Sequence, residues 1–445
     1  MRFIIPAFCL FSSALLSADE TPRAAGQIEN LAGLPDKTTE LTAALEAADG
    51  SLNLTAGIYR ITRPLEIRLN QKRRTHIRSF DGPVTIVMDG PGPALRVIGS
   101  HEGTASPHTF APATWNESFP LIEGIEILGN HPEADGIQLI RCVQPTISKV
   151  AIRWCRHAIR IADRNRNVTI SDVHLYENSG IGIYLDDVNL HQINVANSHI
   201  SYNREGGIVV RNGNVRNLQI ANCDIEGNMP GDDTPTTAAN ILIDISGAAA
   251  SPQISIAEIA ITGCTIQHSS NYGGAKYDEI APGGANIRIL GNAETLIDSV
   301  TVHGNVISDT SVLVEVSHAM DLNFTGNAFF APNPDFFHIK DSERIVLNGN
   351  TFNPRQFDRP GRIEFIRSKN CLVTANTFRG LNSPDHGILI RECTDMSLNN
   401  NLISESKAGV HIEKSIGVSL KNWTVSGFSK DGAFLTTDTL SEVSE

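Results

Sequence analysis

The chain has 445 residues, with 36 Lys and Arg against 49 Asp and Glu, a formal net charge of −13. This acidic balance, with no basic run beyond Gln71-Lys72-Arg73-Arg74, excludes a general nucleic-acid binder. Beyond the N-terminus no stretch reaches the ~20 apolar residues of a membrane helix, so no membrane span is expected.

Met1-Arg2, the apolar run Phe3 to Leu16, and Ser17-Ala18 ahead of Asp19-Glu20 predict a secretory signal peptide over residues 1–18. The mature chain is then expected in the periplasm or outside the cell. Beyond it lie Cys142, Cys155, Cys223, Cys264, Cys371 and Cys393, with no CxxC or Cys/His metal spacing. They read equally as small buried residues and as disulfide partners, Cys223 and Cys264 being near enough on neighbouring units to pair.

Residues 19–119 read as an N-terminal cap and first coils. Thr38 to Ala48 has the pattern of a short amphipathic helix that would cover an open solenoid end. Gly57 to Ile61 and Val84 to Met88 read as strands, and Ser100 to Pro120 as an insertion loop. From residue 120 a unit recurs, beginning at Ile122, Ile147, Ile170, Val195, Ile220, Ile261, Val302, Phe324, Leu347, Val373, Leu398 and Leu420. Its period is about 22–27 residues where no insertion intervenes. Apolar alternation makes these units strands, and the Gly/Asn punctuation leaves no room for crossover helices. The predicted fold is all-β: a parallel β-helix solenoid over residues 120–437, with a flexible tail at 438–445. Asn305, Asn327, Asn350, Asn376 and Asn401 align in one column and Phe329, Phe352 and Phe378 in another, both structural ladders.

The helix followed by Leu52-Asn-Leu-Thr-Ala-Gly-Ile-Tyr59, then Ile122-Glu-Gly-Ile-Glu-Ile-Leu-Gly129 and the coils, resembles the pectate-lyase-like superfamily of right-handed parallel β-helices. That superfamily includes carbohydrate-binding and sugar-hydrolase repeat modules. Right-handedness rests on this resemblance, which also implies a polysaccharide lyase, hydrolase or epimerase. Asp186-Asp187 matches one polygalacturonase motif, but Gly-His-Gly and the alginate-epimerase Asp-Pro-His-Asp are absent, which demotes both subfamilies.

On a solenoid, a site is built from outward columns walled by long turns. Two turns are expanded, Asn228 to Ala239 and His268 to Ala285, on adjacent coils. One outward column beneath them reads Arg160, Tyr184, Val209, Leu242, Arg288, Glu315, His338. The next reads Ala162, Asp186, Arg211, Asp244, Leu290, Ser317, Lys340. The candidate catalytic residues are Tyr184, Asp186, Arg211, Asp244 and Arg288. Arg160, Lys276, Tyr277, Asp278, Glu315, His338 and Lys340 are the candidate substrate contacts.

Two chemistries suit these types. A uronate lyase needs a cation on the substrate carboxylate and a base for the C5 proton, drawn from Arg211, Arg288, Lys276 or Tyr184, with Asp186 and Asp244 available to hold Ca²⁺. A hydrolase needs two carboxylates, for which Asp186 and Asp244 stand two coils apart. The same residues also read as alternating charges that stabilise a sheet. The expected partner is therefore an acidic polysaccharide or oligosaccharide, cleaved with β-elimination favoured, or bound by a non-catalytic adhesin-like solenoid. A third reading is a maturation factor for periplasmic metalloproteins. His131 and Asp135, and His157 among Arg153, Arg156 and Arg160, are further candidates. His174 and His199 align on adjacent coils with no third ligand in view, and read as surface histidines.

Overall fold

The computed structural model describes residues 33–444 except 49, 73, 105, 232–234, 250, 252, 270–280, 356–359 and 429–433. The expected signal segment lies outside the described residues.

Each coil contributes one short strand to each of three faces. In one coil Thr146–Ser148 lies on the first face and Ala151–Arg153 on the second, and Ile159–Ser171 opens on the third. Every pairing runs parallel to the same face of the neighbouring coil, giving a β-solenoid of about 15 turns. The second face is a separate 14-stranded sheet. The first and third are joined into one sheet because Ile159–Ser171 and Ile181–Ala196 run unbroken from one face to the other.

The turn between the first and second faces explains the Gly and Asn punctuation. Lys149, Asp172, Asn197, Asn222, Gly263, Gly304, Gly326, Gly349, Ala375, Asn400 and Asn422 occupy it on successive coils, all with φ between 51 and 66°. Left-handed backbone costs most side chains roughly 1–2 kcal/mol, which Gly avoids and which local hydrogen bonding offsets for Asn and Asp. A turn this tight leaves no room for a helix and holds the coil period near its minimum.

Inside, Ile, Leu and Val from all three faces form one continuous core. Asn305, Asn327, Asn350, Asn376 and Asn401 form a hydrogen-bonded ladder. From Asn327 on, each Oδ1 accepts the backbone N–H and the side-chain amide of the previous Asn, as when Asn350 receives Asn327 at 2.9 and 3.0 Å. Phe329, Phe352 and Phe378 stack at 5.1 and 4.9 Å, and Trp423 extends the stack at 6.0 Å. All six cysteines are buried free thiols. Cys223 and Cys264 do meet on adjacent coils, but as a thiol accepting a backbone N–H at 3.5 Å.

The N-terminal helix spans Thr38–Ala47 and buries Leu41 and Leu45 in the core. Asp36 receives the Thr38 amide at 2.9 Å together with the Thr38 and Thr62 hydroxyls, which hold its carboxyl down to about 2. Gly57–Ile61 and Val84–Met88 are strands of the second face. The segment expected to be a flexible tail instead places Val443–Ser444 in register with Val418 and Ser419.

Candidate functional site

The third face carries the two outward columns in the expected register. Arg160, Tyr184, Val209, Leu242, Arg288, Glu315 and His338 pair coil by coil, as do Ala162, Asp186, Arg211, Asp244, Leu290, Ser317 and Lys340. The two expanded turns flank one region, since the Thr236 amide donates to the Pro282 carbonyl at 2.8 Å. Lys276, Tyr277 and Asp278 lie outside the described residues.

At the upper end of this row the charges are largely committed to one another. The Arg160 guanidinium holds Asp186, its Nε at 2.9 Å. Burial first, then its bond to Asp186, push the Tyr184 phenol up to about 12, so near neutrality it can donate a hydrogen bond but not abstract a proton. His157 packs on Tyr184 at 5.3 Å and is pushed down chiefly by burial, which keeps it neutral. Asp135 is buried and takes Arg156 in two bonds of 2.9 and 2.7 Å. Arg153, expected beside His157, faces the second side of the solenoid instead, over the Trp154 ring. Arg211 is exposed and makes no ion pair among the described residues.

Below the expanded turns Arg288 is a tether. Its buried guanidinium bonds Glu315 at 2.6 Å, the Thr237 carbonyl at 2.5 Å and the Gly283 carbonyl at 2.7 Å, which binds the bases of both turns to the sheet. Asp244 turns away from the row and closes its own loop, accepting the Ser246 amide at 2.9 Å and hydroxyl at 2.6 Å. Asp186 and Asp244 are thus both engaged, by different partners.

The densest constellation lies lower on the same column, around a residue that reading the columns only as far as His338 and Lys340 missed. Glu364 follows His338 in register. One carboxylate oxygen bonds His386 Nε2 at 3.0 Å, and the other lies 3.8 Å from His338 Nε2. Arg362 Nε is 3.8 Å from Glu364 and also holds the buried Asp335. The two carboxyls are driven apart. The His386 bond, aided by Arg362 and His338, lowers Glu364, while burial raises Asp335 against the pull of Arg362. Such opposed environments separate acid and base roles. Lys340 lies two residues from His338 on the same outward side and makes no ion pair among the described residues. Extending the column by one coil would have revealed Glu364. His386 sits in a loop and carries no periodic signal, and Asp335 opens the strand that holds His338.

This geometry defines a parallel β-helix with a charged outer face, and two stretches of the chain match models of β-helix proteins. A family model described as a right handed beta helix region matches residues 116–246. A second, described as periplasmic copper-binding protein (NosD), matches residues 257–440. No curated protein matches the chain.

Among solved structures, the Dettilon tailspike protein gp208 is 15% identical with a TM-score of 0.50, over 91% of this chain and 66% of that one. The A-module of mannuronan C-5 epimerase AlgE4 from Azotobacter vinelandii is 13% identical with a TM-score of 0.45, over 91% and 96%. DFA-IIIase from Arthrobacter chlorophenolicus is 11% identical with a TM-score of 0.49, over 90% and 97%. At these identities the likeness is one of fold.

The buried thiols are poor copper donors. Cys371 and Cys393 are buried in the core; burial pushes Cys371 up to about 12 and Cys393 to about 11, so a thiolate centre does not fit them. Imidazole and carboxylate donors outside the core do suit a divalent ion.

Proposed function

We propose that the chain is an exported carbohydrate-active protein that binds an acidic polysaccharide along its third face and cleaves it by β-elimination. The observation that carries this reading is Glu364 gathering His386, His338 and Arg362, with Lys340 beside them. In this reading Lys340 neutralises a uronate carboxylate, which acidifies the C5 proton. His338 takes that proton, and Glu364 stabilises the imidazolium that results. The C5 electron pair forms the C4–C5 double bond as the C4–O glycosidic bond breaks, and the leaving oxygen takes a proton from solvent. Arg211 and Arg160 extend the contact up the row. The helix Thr38–Ala47 caps the N-terminal end of the solenoid in the same reading, and residues 1–18 direct export.

The test is an ultraviolet assay for unsaturated products on alginate, polygalacturonate and hyaluronan, with and without chelator. Wild type is expected to form such products, and Glu364→Gln and His338→Gln to lose about 100-fold in kcat, the usual scale for removing a general base. Reducing ends without unsaturation would replace elimination by hydrolysis between Asp335 and Glu364. Loss with chelator would add an oxygen-ligated cation such as Ca²⁺ to the site. The second reading, a non-catalytic glycan-binding solenoid, is favoured by the satisfied pairs Arg160–Asp186, Arg288–Glu315 and Arg391–Glu413, and would be upheld by binding without any product.

A further inference from the structure

The second face holds a cluster that the carbohydrate reading does not use. His199 and Asp224 are in register on adjacent strands, as are Ser201 and Glu226. The column expected to lack a third ligand therefore has one. His199, Asp224 and Glu226 offer three ligand atoms all within 4.8 Å of one another. His199 Nε2 stands 3.4 Å from Asp224 and 4.0 Å from Glu226, and His268 Nε2 approaches the other Glu226 oxygen at 4.0 Å. The Asp224 Oδ1 atom is buried with no hydrogen-bond partner among the described residues, so the cluster contains an acceptor that protein groups leave unsatisfied. Asp309 lies 3.5 Å from His268 Nδ1, within reach of the carboxylate–imidazole contact that orients metal ligands.

We infer that His199, Asp224, Glu226 and His268 form a binding site for a divalent first-row transition cation on the second face. Two features select the class. Paired imidazoles disfavour Ca²⁺ and Mg²⁺, which take oxygen ligands, and favour zinc-like ions. The present separations exceed the roughly 3.3 Å between ligands spaced ~2.0 Å from a tetrahedral ion, so small rotations of the side chains close the shell. The strands holding three of the four ligands are hydrogen-bonded rungs of a continuous sheet, which fixes their backbones in place.

Zinc chloride is the probe. Titration calorimetry of the full chain is expected to show one equivalent bound, with calcium chloride giving no heat under the same conditions. Histidine side-chain NMR signals of His199 and His268 should shift on zinc addition while that of His411 stays fixed. His199→Ala and Glu226→Gln, both partly exposed positions, are expected to abolish the event while leaving the far-ultraviolet spectrum unchanged; Asp224→Asn provides an independent removal. Zinc binding that persists in these variants, no zinc binding at all, or equal binding of calcium would overturn the site. None of these outcomes depends on polysaccharide turnover.

Discussion

Burial changes what individual ionisable side chains can do in this solenoid. His101 is completely buried against Phe110, and burial, with Arg166 and Arg164 nearby, pushes its imidazole down to about 4 from 6.5. The folded chain therefore keeps it neutral while the unfolded chain protonates it below about 6.5. Its contribution to stability is complete above pH 6.5 and is lost as pH falls from 6.5 towards 4, by about 3 kcal/mol at ~1.4 kcal/mol per unit. Urea unfolding at pH 7 and pH 4.5 should show that loss in wild type and a smaller one in His101→Phe. Asp186 and Arg288 show the complementary limit of reading residues from sequence. Their columns were legible because outward positions alternate strictly. Their partners were not, because a period of two says which way a side chain points and nothing about which neighbour it grasps. Arg288 thus proves to be a tether and Asp244 a loop cap, while Glu364, one coil beyond the end of the column as read, gathers two histidines.

At the scale of single elements, ladders and turns divide the work. The Asn305 to Asn401 ladder was legible because each member stands at one fixed distance from its strand. A second ladder, Asn178, Asn203, Asn228, Asn240 and Asn286, runs behind the third face and was not legible. Asn228 and Asn240 lie only 12 residues apart, at the two ends of an expanded turn, so no period links them. Removing a rung should be costly. Asn350→Ala leaves the Asn327 amide groups buried without their acceptor, and at about 1–3 kcal/mol for each orphaned group the loss should be about 3 kcal/mol or more. Asn323→Ala, on an exposed position of the same region, should change stability by less than about 0.5 kcal/mol. Chemical denaturation of both variants measures the contrast. The expanded turns depend instead on Arg288. Arg288→Met should leave the fold intact but speed amide exchange around Thr237 and Gly283, the carbonyls it holds.

For the whole molecule, stacking about 15 turns at ~4.8 Å gives a rod about 70 Å long, which solution scattering should report as an elongated form factor. A cavity of 560 Å³ opens near the N-terminal helix, lined by Thr42, Arg63, Glu66 and Lys72. The charged row lies instead on the third face. Its row from Arg211 to Lys340 crosses four coil steps, about 19 Å. The most direct measurement is the crystal structure of the chain with a short oligouronate. The ligand is expected along the third face, its carboxylates at Lys340 and Arg211 and a sugar ring over His338 and Glu364. An oligouronate seated on another face, or none bound at millimolar concentration, would contradict the account.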